Sequence, residues 1–306
     1  AVMDTAKRGA QLKSQRYYEI LDEPLVSGGF SDVEHVVSAY NSLAELVAAA
    51  DPKAVIGGPG FAAAFGEQVM AFLKGASRLD FLSVHFYGTH NVLTDTKDLF
   101  ESAVSAKSAD LPGQLSFQDV RHLLKVIRRR PTELFVTEFS LSAARDERGD
   151  CRDERATTAF GAAWETALVL SATPYVDKMA YFKLSGGGWG MLSEAGQPEP
   201  VAWAAWMLRN YAPRGGSRVE IRRLDDHTAV AAVKTKTAYN VLIAYGGLEP
   251  IEVKVDPRGL PALSQVRDRW IGNADTQWKG NILPLATGQN MVLDGPGVLV
   301  VQYVPK

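Results

Sequence analysis

The sequence predicts a parallel α/β region of the (β/α)-barrel type over residues 1–213 and an antiparallel β-sandwich over residues 214–306. Up to residue 213, short apolar segments alternate with longer amphipathic ones, which is the rhythm of parallel βα units. After it, short segments rich in Val, Ile and Tyr follow one another without helices between them. We place the boundary at Pro213-Arg214-Gly215-Gly216.

Five strands and four helices are predicted in the first region. The strands cover residues 17–21, 54–57, 81–86, 134–137 and 178–184. The helices cover residues 31–50, 62–75, 116–129 and 155–171. Each helical segment carries apolar residues at three- and four-residue spacing and begins near a capping residue or a Gly/Pro break.

Six strands are predicted in the second region. They cover residues 218–224, 228–234, 239–245, 251–255, 290–293 and 298–304. Turn-forming residues separate several of them, among them Asp225-Asp226 and Gly246-Gly247. Strands joined by such turns favour an antiparallel sandwich.

The composition is that of a soluble globular protein, with 46% hydrophobic and 22% charged residues among 306. A net charge of −2 and the lack of a basic stripe give no reason to expect nucleic acid as a partner. No apolar run approaches the roughly 20 residues that cross a bilayer. The single cysteine, Cys151, excludes an internal disulfide framework but leaves the compartment open between cytoplasmic and periplasmic or secreted.

Two adjacent carboxylates, Asp22 and Glu23, end the first predicted strand. Pro24 follows them and has no N–H with which to continue the ladder. Acidic side chains at the carboxyl end of a parallel strand lie where such folds place their active sites. A solvated loop with incidental acids explains the same pattern.

Glu138 and His85 mark the ends of two further predicted strands. Glu138 is embedded in an apolar strand end, where a charge must be paired or functional; a structural ion pair is the alternative. His85 alone is typical of a satisfied core histidine. Tyr87, two residues later, points to the same face of the strand. Because three polar strand ends would converge on one rim, the sequence favours an active site there.

Five segments, in order over residues 16 to about 211, resemble glycoside hydrolase family 39, which includes β-xylosidases and α-L-iduronidases. They are the aromatic-Glu-x-Trp-Asn-Glu-Pro-like run of residues 18–24, the Gly-Gly-Pro of residues 57–59, the Asp-Phe-hydrophobic-Ser-x-His-x-Tyr-like run of residues 80–87, the Thr-Glu-aromatic of residues 137–139, and the stretch of residues 189–203. The C-terminal sandwich also fits this family.

The resemblance implies an acid/base at Glu23 and a nucleophile at Glu138. Retention requires two carboxyl groups about 5 Å apart, one protonated to reach the leaving oxygen and one ionised to attack. Asp22, His85, Tyr87 and Trp189 would contact the sugar, with Trp189 offering an apolar face; a packing role for Trp189 is the alternative. The substrate would be an oligosaccharide or polysaccharide, and the mechanism needs neither a cofactor nor a metal.

Two features depart from the family. Asp22 and Leu21 replace its asparagine and tryptophan, so the residue before the acid/base can accept but not donate a hydrogen bond. By the resemblance, the strand before Glu23 is the fourth of eight, so the first three βα units of the barrel are missing. The chain starts at Ala1 without an initiator methionine. We expect a fragment of a longer protein; a homo-oligomer or partner chain that completes the barrel, and a degenerate half-barrel, are the alternatives.

Two other functions compete with a hydrolase. Residues 54–63 superficially match a dinucleotide-binding turn, but the acidic residue that should end the next strand, Asp80, instead precedes it. A carbohydrate-binding protein that keeps the groove without turnover is the stronger rival, because Asp22 and the missing strands both point to it.

Overall fold

A computed structural model of the chain describes residues 2–11, 16–128, 130–213, 216–255, 263–271 and 290–305. The helices are α1 (Val2–Ala10), α2 (Val33–Ala50), α3 (Gly66–Gly75), α4 (Thr96–Ser105), α5 (Phe117–Ile127), α6 (Ala159–Ala172) and α7 (Pro200–Tyr211), with a 3₁₀ turn over Glu154–Thr157. The strands of the first region are β1 (Tyr17–Glu19), β2 (Val55–Phe61), β3 (Phe81–Thr89), β4 (Glu133–Ser142) and β5 (Lys178–Tyr181). Those of the second are β6 (Ser217–Asp225), β7 (Thr228–Lys234), β8 (Tyr239–Tyr245), β9 (Ile251–Lys254), β10 (Leu263–Ile271), β11 (Asn290–Leu293) and β12 (Gly297–Pro305).

The first five strands form one parallel sheet in the order β1-β2-β3-β4-β5. Tyr18 pairs with Ile56 of β2, and Val136 of β4 pairs with Met179 of β5. Helices connect the successive strands, as parallel pairing requires. The predicted fold class, a barrel-type sheet with five of eight strands, is confirmed, and the carboxyl ends of its strands share one edge.

The antiparallel part consists of a five-stranded sheet, β10-β12-β8-β7-β6, and a two-stranded sheet, β11-β9. Six buried side chains, with partly buried residues of β9 and β11 against them, form the core between the sheets: Ile243, Tyr245, Leu293, Leu299, Val301 and Tyr303. A second buried cluster joins α7 to the five-stranded sheet through residues such as Met207, Leu242 and Val300. The predicted sandwich is therefore also confirmed.

The chain separates into two compact units. The first comprises residues 1–86, 111–139 and 172–181, and the second comprises residues 87–110, 140–171 and 182–306. A domain boundary after residue 213 stays a prediction, and Arg214 and Gly215 lie outside the described residues. In the described part of the chain, no helix combines the length and apolar character that a membrane span needs.

Candidate active site

The chain turns sharply where β1 ends, and this turn presents Asp22 and Glu23. Leu21 and Glu23 both have left-handed backbone angles, with φ of 70° and 42°. The Glu23 N–H donates to the Gly60 carbonyl at 2.9 Å, and the Glu23 carbonyl accepts from the Gly28 N–H at 3.1 Å. Such conformations cost about 1–3 kcal/mol per non-glycine residue and cluster at functional sites. Hydrogen bonds at both the N–H and the carbonyl of Glu23 thus stabilise a left-handed backbone conformation that is unfavourable by itself.

Gly60 lets the end of β2 approach this turn closely. Its φ is +60°, and a Cβ there would lie 3.3 Å from both Asp22 Oδ1 and Glu19 Oε1. The Gly60 N–H donates to the buried Ser83 hydroxyl of β3 at 2.9 Å. The Gly-Gly-Pro segment therefore fixes the position of the acidic turn against the neighbouring strands.

His85 lies at the centre of a cluster of three carboxylates. Its side chain is 2% exposed. Nδ1 is 3.0 Å from Glu23 Oε1 and 3.9 Å from Glu138 Oε2, while Nε2 is 3.5 Å from Asp22 Oδ1. The nearest donor atoms of Glu23, His85 and Glu138 all lie within 4.8 Å of one another. The turn after β1 and the middle of β3 and of β4 thus bring four of the predicted site residues together.

The charges of this cluster favour a protonated imidazole. Burial by itself would lower the pKa of His85, but the hydrogen bond with Glu23 and the negative charges of Glu138, Glu23 and Asp22 outweigh burial. The net result is a pKa above the ordinary histidine value. The site therefore stabilises an imidazolium beside its carboxylates.

Glu19 links β1 to β4, a contact that the sequence analysis missed. Its Oε1 accepts a hydrogen bond from the Thr137 hydroxyl at 2.7 Å, one residue before Glu138. Ser83, which holds Gly60, was also missed. The available signal was an acidic residue directly after two tyrosines in a short strand.

Tyr87 and Trp189 belong to the second compact unit. The Tyr87 ring packs against Phe182 at a centroid distance of 6.0 Å. Trp189 is 2% exposed, donates its indole N–H to the Ser142 carbonyl at 2.7 Å, and has the Arg145 guanidinium 5.5 Å from its ring centroid. These contacts are those of packed residues, and a sugar-binding role for either stays a prediction.

One imidazole nitrogen and two carboxylate oxygens this close together resemble a small metal-ligand set. Nδ1 of His85, however, already lies at hydrogen-bonding distance from Glu23. We therefore interpret the group as a hydrogen-bonded acid–base cluster. The expectation that the site uses neither metal nor cofactor stays a prediction.

No known protein-family profile matches this sequence. No curated protein matches it either. Solved structures of glycoside hydrolases, in contrast, share its fold.

A bifunctional glucanase-xylanase from a metagenome library aligns with 99% of this chain and 68% of its own, at a TM-score of 0.70 and 14% identity. A monomeric β-xylosidase from Caulobacter crescentus aligns with 99% of this chain and 74% of its own, at a TM-score of 0.66 and 16% identity. A family 44 xyloglucanase from Paenibacillus polymyxa aligns with 100% of this chain and 70% of its own, at a TM-score of 0.71 and 16% identity. At these identities the likeness establishes the fold: the chain has the barrel-plus-sandwich architecture of glycoside hydrolases.

Proposed function

We propose that this chain carries the catalytic carboxylates of a retaining glycoside hydrolase, with Glu138 as nucleophile and Glu23 as acid/base. The observation that carries the proposal is their proximity at the carboxyl edge of the parallel sheet, with nearest oxygens within 4.8 Å. Retaining enzymes hold their two carboxyl groups about 5–5.5 Å apart, whereas inverting enzymes need about 6.5–9.5 Å to admit a water molecule. Oxygens this close together support the retaining over the inverting arrangement.

The reaction would proceed in two steps. The ionised Glu138 attacks the anomeric carbon while Glu23 delivers a proton to the departing glycosidic oxygen, so that a covalent glycosyl-enzyme forms. Glu23, now ionised, takes a proton from water, and the resulting hydroxide equivalent displaces Glu138 from the sugar. Two inversions at one carbon give net retention.

The site's surroundings fit these roles. Glu23 is held by backbone hydrogen bonds from β2 and from its own turn, and Glu138 follows a residue that is tied to Glu19. Positioning of this kind matters because a displacement of about 1 Å can cost 10²-fold in rate. Asp22 and His85 would line the sugar-binding side of the cluster.

The substrate class follows the sequence resemblance to family 39 and the β-xylosidase among the structural neighbours. We infer a β-linked oligosaccharide or polysaccharide with a xylose-like unit at the cleaved bond. A binding protein without turnover is the second candidate, since Asp22 replaces the family's asparagine and the described sheet has five strands. The strands that would close the barrel would come from another segment or a partner chain.

Aryl glycosides, including the β-xyloside, test the proposal. We expect wild-type turnover on at least one substrate and its loss in Glu138→Ala. Glu23→Gln should lose about 10²–10⁴-fold on substrates with poor leaving groups, but much less on a dinitrophenyl glycoside, which needs little protonation.

Glu133→Ala is the matched control, because Glu133 is a partly exposed glutamate at the first residue of the same strand, β4. It should keep wild-type activity. Sugar binding by a folded protein without turnover on any substrate would favour the binding protein instead.

A further inference from the structure

Both ring nitrogens of His85 face carboxylates. Nδ1 is 3.0 Å from Glu23 Oε1, and Nε2 is 3.5 Å from Asp22 Oδ1. When both acids are ionised, a neutral imidazole has one N–H for one of them, and its lone pair repels the other. The imidazolium donates its Nδ1–H to Glu23 and points its Nε2–H toward the negative charge of Asp22. Since the ring is almost fully buried, water has little access to replace either partner.

We propose that Asp22 and Glu23 together hold His85 as an imidazolium, so that the proton delivered to the leaving oxygen is stored on the His85–Glu23 pair. The delivery step rests on the proposed hydrolase function. Asp22 acts through His85, which makes it a positioning residue. It does not need to touch the reacting atoms to have this effect.

The proton transfers balance over one turnover. In the resting pair the proton lies on His85 Nδ1 and Glu23 is ionised. As the glycosidic bond breaks, Glu23 receives the Nδ1 proton and passes it to the leaving oxygen, which leaves His85 neutral and Glu23 ionised while Glu138 forms the covalent bond. When water attacks, its proton goes through Glu23 to Nδ1 and Glu138 is released as a carboxylate. The pair then returns to its starting state.

The charges that face His85 come from two sides. Asp22 and Glu23 reach it from the turn after β1, and Glu138 reaches it from β4. With Glu138 needed as an ionised nucleophile, the cation on His85 offsets negative charge at the site and lets three carboxylates approach one another. Asp22 is 75% exposed, so solvent screens its contribution more than that of Glu23.

The titration of the His85 ring by NMR tests the proposal independently of turnover. The chain has five histidines, and His85→Gln identifies the signal of this one. We expect the wild-type ring to titrate above the ordinary value of about 6.5. Asp22→Asn should lower that midpoint by roughly half a pH unit to one unit, because it removes one screened charge and keeps the size of the side chain.

Glu45→Gln, an exposed acid on α2 in the same compact unit, is the control and should leave the midpoint unchanged. An unchanged midpoint in Asp22→Asn, or a wild-type ring that is neutral at pH 6.5, overturns the proposal. If the protein turns over substrate, the alkaline limb of the kcat/KM profile should move with the NMR midpoint. A shifted midpoint with a fixed alkaline limb overturns the delivery step, whereas a shifted midpoint without turnover on any substrate overturns the proposed function and leaves the imidazolium standing.

Discussion

Glu165 is a buried acid whose replacement should stabilise the protein. It lies in α6, where almost every side chain is buried, and is itself 2% exposed. Its Oε2 has no hydrogen-bond partner among the described residues. Burial raises the pKa of this carboxyl well above the usual glutamate value. The folded protein therefore favours the neutral acid at pH values where the unfolded chain is ionised.

The size of the effect follows from two contributions. A buried polar group without a partner costs about 1–3 kcal/mol. Each pH unit by which the folded pKa exceeds the unfolded value of about 4.3 costs a further 1.4 kcal/mol once the pH exceeds both. Because the folded pKa of Glu165 is raised, the free energy of unfolding is highest below about pH 4, where both states bind the proton. It falls as the pH rises toward the folded pKa, since only the unfolded chain then releases the proton.

Urea unfolding at pH 5 and pH 7.5 measures both contributions. Glu165→Met has similar length and no polar group, so we expect it to be more stable than wild type by at least about 1 kcal/mol at pH 7.5, with a smaller gain at pH 5. Glu165→Gln should lose the excess pH dependence of wild type. A Met variant that is less stable at both pH values, or a Gln variant that keeps the wild-type slope, would refute the reasoning; Glu45→Gln serves as the exposed control.

Two further substitutions test the local geometry. Gly60→Ala should destabilise the protein by about 1 kcal/mol or more and reduce kcat, because φ is +60° and the new Cβ would press on Asp22 and Glu19. Thermal unfolding measures the stability and kinetics measure kcat. A variant with wild-type stability and wild-type kcat would contradict this prediction. Trp189→Phe should cost about 1–3 kcal/mol by leaving the Ser142 carbonyl without its donor, so a variant as stable as wild type in urea would show that this bond contributes nothing.

The sequence predicted the strand ends that meet in the site because parallel strands share a direction. Glu23 follows β1, whereas His85 and Glu138 lie inside β3 and β4, because both strands run past the ends predicted at residues 86 and 137. Their mutual distances agree with the expectation that neighbouring parallel strands bring them together. The fold class was predictable for the same reason: alternating helical and strand periodicities extend over most of the chain.

Contacts between distant segments explain what the sequence did not predict. Helix α3 was expected from residue 62 but begins at Gly66, because Ala64 accepts a hydrogen bond from Leu115 and Phe65 forms a bridge with Gln114. The helices α1 and α4 and the strand β10 were not predicted at all. For α4, the first turn is polar and only a few apolar residues follow it, among them Leu99, Phe100 and Ala103. These residues favour a helix only once the folded chain buries them.

The same limit applies within the site. The left-handed conformations of Leu21 and Glu23 do not follow from residue type, since neither is glycine. They exist because Gly60 and the following turn hold the main chain. The burial of Trp189 and the hydrogen bond of its indole N–H to Ser142 also depend on distant contacts that the sequence does not show.

The stereochemistry of the reaction tests the central claim most directly. Proton NMR of the first sugar product from a β-glycoside should show the β-anomer, and Glu138→Ala supplied with azide should regain turnover and form the α-glycosyl azide, because azide enters where the nucleophile was removed. An α-anomer from the wild-type protein, or a Glu138→Ala variant that hydrolyses at the wild-type rate without azide, would contradict the assignment of Glu138 as the nucleophile of a retaining enzyme.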